Sequence, residues 1–231
     1  MKLKAVLFDL DGTLLNSIPL IRRCFERVFA EFDIPWSDGA VMKTVGLPLR
    51  QVAESYAPGQ ADLFLKVYTE FYRDHQQEML KLFPGAKEVV QALDRAGYRL
   101  ALVTSKRREP AVSNLALTGL DQYLQHVVTV EDTSRPKPYP DCLLKGLRLL
   151  AVEADQAVYV GDSWYDVQTG KNAGVATVGV TWGIASREEL GPYLPDVIAD
   201  DWSQLLAALS GLEDAPPKVN LNFGLNHGLT T

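Results

Sequence analysis

Residues 6–17 read VLFDLDGTLLNS. This stretch begins as a continuous apolar run, which is typical of a strand buried on both faces of a parallel sheet. The run ends at Asp9, and Asp11 follows after one leucine. Because side chains alternate along a strand, the two carboxylates share a face if the strand continues. Like charges this close raise each other's pKa unless a cation lies between them, so the pair indicates a metal site.

The chain beyond residue 84 alternates between short apolar runs and amphipathic segments. Strands are predicted at 3–8, 99–104, 126–130, 157–160, 175–180 and 196–199. Helices are predicted at 86–96, 110–117, 140–150, 164–172 and 202–209. Strands that alternate with helices favour a parallel sheet with right-handed crossovers, and therefore an α/β fold.

Residues 17–82 break this alternation and have a helical period instead. We predict helices that begin after Ser17 as N-cap and continue near 39–44, 49–56 and 61–80. The simplest organisation is an α/β core of residues 1–16 and 83–215 with a helical cap of residues 17–82. A cap above the strand ends would exclude water from chemistry below it. Residues 216–231, rich in Pro, Asn and Gly, are predicted to be an extended tail.

The bulk properties favour a soluble cytoplasmic protein. The 231 residues carry a net charge of -6, which argues against a nucleic-acid partner. No apolar run approaches the roughly 20 residues needed to cross a membrane, and the N-terminus lacks the pattern of a signal peptide. Cys24 and Cys142 lie far apart and read as reduced thiols without zinc-ligand spacing. The sequence leaves monomer and homodimer open.

Polar residues follow the predicted strands at their carboxyl ends, where open α/β sheets bind ligands. In chain order these residues are Asp9, Asp11, Thr104, Ser105, Lys137, Asp162 and Asp166. Carboxylate oxygens and water are the ligands that Mg²⁺ prefers, and Asp9, Asp11 and Asp162 could supply such a shell. An aspartate beside Mg²⁺ can attack phosphorus and form an aspartyl phosphate. A second acid could protonate the leaving oxygen and later activate water.

Other groups at the same edge suit the binding of phosphate. The hydroxyl of Thr104 and backbone N–H groups around Gly12 and Ser105 could bind phosphate oxygens. Lys137, in the proline-framed stretch RPKPYP, would neutralise both nucleophile and phosphate. Lys106 either touches the substrate or belongs to a solvated charge run with the two arginines that follow it.

Four segments together resemble the motifs of the haloacid dehalogenase superfamily, in order and at familiar intervals. They are DLDGTLLNS, LVTSK, RPKPYP and GDSWYDVQTGKNAG, and the resemblance covers nearly the whole chain except the tail. The stretch VGVTWG and the helical insertion further resemble the phosphoglycolate phosphatase-like branch. The resemblance implies a Rossmann-like core with an inserted helical cap.

The resemblance also implies a role for each residue of the first motif. Asp9 would be the nucleophile that becomes phosphorylated. Asp11 would be the general acid and base, with its backbone carbonyl on the metal. Thr13 would orient Asp11, and the backbone at Gly12 would come close to the phosphate.

The other motifs imply the rest of the site. Thr104 would bind phosphate, and Lys137 would steady the nucleophile and the phosphate. Asp162 would ligate Mg²⁺, and Asp166 would be a further ligand or a carboxylate that hydrogen-bonds around the metal. Arg50, in the cap stretch VGLPLRQV, would either contact the leaving group or begin a helix at the surface.

These observations predict a Mg²⁺-dependent phosphatase that hydrolyses a small phosphomonoester, phosphoglycolate-like or a sugar phosphate, through an aspartyl phosphate. Inorganic pyrophosphatase and a β-phosphoglucomutase-like enzyme are alternatives within the same superfamily. An inactive binding or regulatory protein is the alternative outside enzymes. The presence of Asp11 argues against a true haloacid dehalogenase, and the arginine at position 50 cannot form the Schiff base of a phosphonatase.

Overall fold

The computed structural model describes residues 3–214. Its six strands are β1 (Ala5–Phe8), β2 (Arg99–Val103), β3 (His126–Val128), β4 (Ala157–Gly161), β5 (Ala176–Val180) and β6 (Val197–Ala199). They form one sheet in the order β3-β2-β1-β4-β5-β6, and every neighbouring pair is parallel. This confirms the predicted α/β fold with a parallel sheet.

Nine α-helices accompany the strands within the described residues. They are α1 (Ile18–Glu31), α2 (Leu49–Tyr56), α3 (Ala61–Met79), α4 (Ala86–Arg95), α5 (Arg108–Thr118), α6 (Asp141–Leu150), α7 (Trp164–Asn172), α8 (Arg187–Leu190) and α9 (Trp202–Asp214). None of the helices between residues 3 and 214 is long and apolar enough to cross a membrane.

Both faces of the sheet are covered, which explains why β1 is apolar at every position. Val6 and Phe8 belong to an apolar cluster that also holds residues of α4, α5 and α9. Ala5 and Leu7 point to the opposite face, where residues of α6 complete a second cluster. Alternation along one strand thus buries neighbouring side chains in two different layers.

Helices α1, α2 and α3 bury a third apolar cluster, which is rich in aromatic rings. Phe25 lies at its centre, with ring centroids of Phe64 and Tyr68 at 6.4 and 5.1 Å. The chain enters and leaves this helical segment at adjacent points. Leu15 forms an antiparallel bridge with Leu82, and the N–H of Asn16 donates to the carbonyl of residue 81 at 2.8 Å.

Several local predictions need correction. Ser17 does not cap α1 through its side chain, because its backbone is already helical (φ -93°, ψ -11°) and its hydroxyl has no partner among the described residues. The predicted helix at 39–44 is a 3₁₀ segment, Ser37–Thr44, in which Asp38 and Gly39 have positive φ and break the helical path. Helix α8 was not predicted. The predicted tail, residues 216–231, lies outside the described residues.

Candidate active site

The strand register brings the predicted site to one edge of the sheet. Phe8, the last residue of β1, pairs with Leu102 on one side and with Val160 on the other. The residues that follow these strands therefore meet at the carboxyl end of the sheet. The chain order reverses at β1, with β2 and β3 on one side and β4 to β6 on the other. Ligands of open α/β sheets bind at such a switch point.

A buried lysine joins two carboxylates at this edge. Lys137 Nζ donates to Asp9 Oδ1 at 2.8 Å and to Asp166 Oδ1 at 2.6 Å. All three side chains are less than a tenth exposed. A buried charge is tolerated only when it is paired and hydrogen-bonded, and here one cation serves two anions. This leaves the cluster with a net negative charge.

Asp166 is surrounded by hydrogen-bond donors. Besides Lys137, its Oδ1 accepts from Tyr159 Oη at 2.9 Å. Its Oδ2 accepts from the hydroxyl of Ser163 at 2.5 Å and from the N–H of Ser163 at 3.1 Å. Four donors saturate most of this carboxylate, so Asp166 holds Lys137 and the start of α7 in place.

Tyr159 and Ser163 are neighbours of the site that we did not predict. The Ser163–Asp166 contact is a capping box at the start of α7, and its spacing, Ser followed three residues later by an acid, is visible in the sequence. Tyr159 lies inside β4, where any apolar residue would suit the pattern. No pattern in the sequence therefore indicates a role for its hydroxyl.

Asp162 lies against the first loop rather than against Lys137. Its Oδ1 accepts from Thr13 Oγ1 at 3.1 Å, and its Oδ2 accepts from the N–H of Ile184 at 2.7 Å. Thr13 thus holds Asp162, whereas we predicted that it would orient Asp11. Gly12 has φ +81°, and a Cβ at this position would overlap the carboxylate of Asp162. Only glycine allows this close approach of the loop.

The carboxylates have perturbed pKa values with a common cause. Burial raises the pKa of Asp9 from 3.8 to about 7, although Lys137 opposes the shift. Burial, together with the charges of Asp166 and Asp9, raises the pKa of Asp162 well above its usual value. Burial alone would lower the pKa of Lys137, but the two carboxylates outweigh it and raise that pKa. The lysine therefore stays charged. Its single positive charge does not balance the negative charges of the carboxylates around it.

The oxygen atoms at this edge fit a divalent cation. Asp9, Asp162 and Asp166 each offer one carboxylate oxygen, and these atoms lie within 4.8 Å of one another. Hard oxygen ligands suit Mg²⁺, and a cation between them would reverse the upward pKa shifts. The carboxylate of Asp11 is not part of this group.

Asp11 points instead toward Lys106. Lys106 Nζ lies 2.9 Å from both carboxylate oxygens of Asp11. The side chains are 11% and 16% exposed, so the pair is mostly shielded from water. Lys106 is therefore paired with Asp11 and is not part of a solvated charge run. Thr104 is buried nearby, and its Oγ1 accepts from the N–H of Lys106 at 3.2 Å, which leaves the hydroxyl hydrogen free to donate.

Two predicted phosphate or substrate contacts, those of Gly12 and Arg50, are engaged elsewhere, whereas Ser105 was predicted to bind through its N–H and here uses its hydroxyl. The N–H of Gly12 donates to the carbonyl of Leu15 at 2.8 Å. The hydroxyl of Ser105 donates to the carbonyl of Gly46, in the stretch VGLPLRQV, at 2.6 Å. Arg50 is exposed and pairs with Asp62 at 2.7 Å, away from the strand ends.

Comparisons with known proteins identify the family of the chain. A family model described as haloacid dehalogenase-like hydrolase matches residues 6–180. Pyrophosphatase PpaX of Anoxybacillus flavithermus is 34% identical over 210 residues, which cover 90% of this chain and 98% of the relative. The crystal structure of a predicted phosphoglycolate phosphatase from Haemophilus somnus has a TM-score of 0.82 and 25% identity, and the match covers 90% of this chain and 98% of the other. The chain therefore belongs to the haloacid dehalogenase-like hydrolases.

Proposed function

We propose that this hydrolase is a Mg²⁺-dependent phosphatase that forms an aspartyl phosphate on Asp9. One observation carries the proposal, namely the arrangement around the Asp9 carboxylate. Oδ1 is held by Lys137 at 2.8 Å, whereas Oδ2 has no hydrogen bond from any residue between 3 and 214. A fixed carboxylate with one free oxygen, beside a buried cation, is suited to nucleophilic attack on phosphorus.

The reaction would proceed in two steps. In the first, Asp9 Oδ2 forms a bond to phosphorus while the bond from phosphorus to the leaving oxygen breaks, and Asp11 gives that oxygen a proton. In the second, Asp11 takes a proton from water, whose oxygen attacks phosphorus and breaks the bond to Asp9. Phosphate leaves, and both aspartates return to their starting states.

Other residues of the chain would bind and orient the phosphate. The Thr104 hydroxyl has a free hydrogen for one phosphate oxygen, and Lys137 would offset the negative charge of the phosphate and of Asp9. Asp9, Asp162 and the backbone carbonyl of Asp11 would hold Mg²⁺, which when bound neutralises charge on the phosphate and favours attack by an anion. Asp166 would hold Lys137 in place.

Residues 17–82 would act as a cap over this site. Gly46 lies directly on the strand ends, since its carbonyl accepts from Ser105 and a Cβ at this position would lie 2.8 Å from the Tyr165 ring. Such close contact leaves little space for a bulky leaving group. It therefore favours small substrates.

Lys106 favours a leaving group that carries negative charge. Its ammonium contacts Asp11, the residue that would protonate the leaving oxygen, so positive charge lies where the leaving group departs. Inorganic pyrophosphate, whose leaving group is phosphate, is the first candidate because relatives 34% identical are named pyrophosphatases. A small acidic phosphomonoester such as 2-phosphoglycolate is the second, since a 25% identical neighbour is described as a predicted phosphoglycolate phosphatase.

The experiment is phosphate release from pyrophosphate, 2-phosphoglycolate and p-nitrophenyl phosphate, with Mg²⁺ and with a chelator. We expect turnover with Mg²⁺ only, and a loss of about 10³-fold or more in kcat for Asp9→Asn. Asp94→Asn, which changes an exposed aspartate on α4, is the matched control and keeps full activity. Full activity of Asp9→Asn, or no turnover of any of the three substrates, would contradict the proposal.

A further inference from the structure

Lys106 has a fixed backbone and a long side chain. Its N–H donates to Thr104 Oγ1 at 3.2 Å, and its carbonyl accepts from the N–H of Val130 at 3.3 Å. A lysine stem has many rotamers, so the backbone alone does not determine where the ammonium lies. Nζ nevertheless lies equally close to both oxygens of Asp11. A second contact, besides this ion pair, restricts the ammonium.

Tyr72 of α3 makes that contact. Its ring centroid lies 4.6 Å from Lys106 Nζ, and the tyrosine is only 5% exposed. An ammonium over an aromatic face is attracted by the ring, and the attraction is stronger where water is excluded. The ammonium of Lys106 is thus held between the carboxylate of Asp11 and the ring of Tyr72.

The ring of Tyr72 is itself held by the α/β part of the chain. Asn114 Nδ2, on α5, donates to Tyr72 Oη at 2.6 Å. Asn114 is fully buried, and its Oδ1 has no partner among residues 3–214. A buried amide in a helix is unfavourable unless its hydrogen bonds are made. The contact with Tyr72 is the one hydrogen bond that the Asn114 side chain makes within this part of the chain.

A second tyrosine supports the orientation of the first. The rings of Tyr68 and Tyr72 lie 6.4 Å apart and within 12° of parallel. Tyr68 is also packed against Phe25 in the aromatic cluster of α1 to α3. The ring that faces Lys106 is therefore fixed from the helical segment by Tyr68 and from α5 by Asn114.

We propose that Tyr72 is a positioning residue, fixed by Asn114, whose ring holds the Lys106 ammonium against Asp11. The helical segment thereby supplies part of the site without touching the substrate. This inference rests on the proposed function, because it assigns Tyr72 an effect on the step in which Asp11 moves a proton. Asp11 needs a fixed orientation for that step, and Lys106 provides it only while its own ammonium is fixed.

The test compares steady-state kinetics of three variants of α3 on pyrophosphate. Tyr72→Leu removes the ring, and we expect kcat to fall about 10- to 30-fold with little change in KM. Tyr72→Phe keeps the ring and loses the hydroxyl, which accepts from Asn114 and also interacts with Lys106, so it should retain most activity, with a loss of about 3-fold. Phe64→Leu is the matched control, since it removes another fully buried ring from α3. That ring contacts Phe25 and Phe32 and not Lys106. The kcat of this variant should stay near that of the wild type.

A double variant separates positioning from general damage. In Lys106→Met the ammonium is absent, so adding Tyr72→Leu should cause little further loss in kcat. Losses that simply multiply would overturn the inference. An equal effect of Tyr72→Leu and Phe64→Leu would also overturn it.

A second measurement does not depend on activity. The rate at which an amine-reactive reagent labels Lys106, followed by peptide mass spectrometry, reports how well the ammonium is held. We expect faster labelling in Tyr72→Leu and an unchanged rate in Phe64→Leu. If the wild type hydrolysed none of the substrates, the proposed function would fail while this measurement still decided the role of Tyr72, and an unchanged rate in Tyr72→Leu would overturn it.

Discussion

At the scale of single residues, the site combines a buried negative cluster with a separate ion pair. Lys137 serves Asp9 and Asp166, whereas Lys106 serves Asp11. The two aspartates of the first motif are therefore held by different cations from different loops. Two carboxylates separated by a single residue thus have different surroundings.

The charge of Lys106 can be tested by substrate choice. We expect Lys106→Met to lower kcat/KM on pyrophosphate by about 10-fold more than on p-nitrophenyl phosphate, because only the first releases a highly charged leaving group near the missing ammonium. Steady-state kinetics on the two substrates measure the difference. Lys87→Met, on α4, is the control for loss of a lysine elsewhere. Equal losses on both substrates would contradict an interaction with the leaving group.

The sequence predicted most of the charged groups that the structure brings together at this edge, including Lys137, but not the aromatic side chains that contact them. Asp9, Thr104 and Asp162 could be predicted because each follows an apolar strand, and parallel strands end at one edge. Tyr159 and Tyr72 could not, since their hydroxyl or ring acts on residues that are distant along the chain. The predicted partner of the Thr13 hydroxyl was Asp11, whereas the structure shows Asp162. The order of residues along the chain does not determine which of two nearby carboxylates a hydroxyl contacts.

At the scale of elements, the contact between the VGLPLRQV stretch and the strand ends depends on Gly46. Its φ of +106° lies in a region that L-residues rarely adopt, and a Cβ would press on the ring of Tyr165. A side chain at this position therefore requires that the stretch or the Tyr165 ring moves. The observed contact is best made by glycine.

We expect Gly46→Ala to raise KM for pyrophosphate about 10-fold or more, because strain and overlap of about 1–3 kcal/mol would hold the stretch off the strand ends. The midpoint of thermal unfolding should fall by about 2–4 °C for each kcal/mol of this strain. Gly59→Ala, a glycine with positive φ and open space around it, is the control for backbone strain alone. A wild-type KM in Gly46→Ala would contradict a role of this contact in catalysis.

Most elements could be predicted because their apolar period is clear. The six strands and the helices flanking them lie within a few residues of their predicted positions. Helix α8 has only four residues, too few to show a period. The 3₁₀ segment Ser37–Thr44 depends on a left-handed Asp38, which the residue type allows but does not require.

Across the whole molecule, the buried carboxylates make stability depend on pH. The pKa of Asp9 is about 7 in the folded protein and near 3.8 when unfolded, so the folded state binds more protons between these values. The contribution of Asp9 to the free energy of unfolding of the metal-free protein is therefore highest below pH 4. It falls as the pH rises toward 7.

We expect the metal-free protein to lose about 1–4 kcal/mol of unfolding free energy between pH 4 and pH 7, and Mg²⁺ to restore stability at pH 7. Denaturant unfolding with and without a chelator measures both effects. In Asp9→Asn the dependence on pH should be weaker, because one of the titrating groups is gone. Equal changes in the free energy of unfolding between the two pH values in the wild type and in Asp9→Asn would contradict the upward shift of the Asp9 pKa.

The pairing of Leu15 with Leu82 has a consequence for how this chain can be altered. The chain leaves the sheet and returns to it at positions that are hydrogen-bonded to each other. The intervening helices are therefore an insertion whose two ends are adjacent. A short turn could join residues 16 and 81, where an N–H and a carbonyl lie 2.8 Å apart, without rethreading any strand. Insertions of very different length can therefore be exchanged between residues 16 and 81, while the strand that leads to Asp9 keeps its place in the sheet.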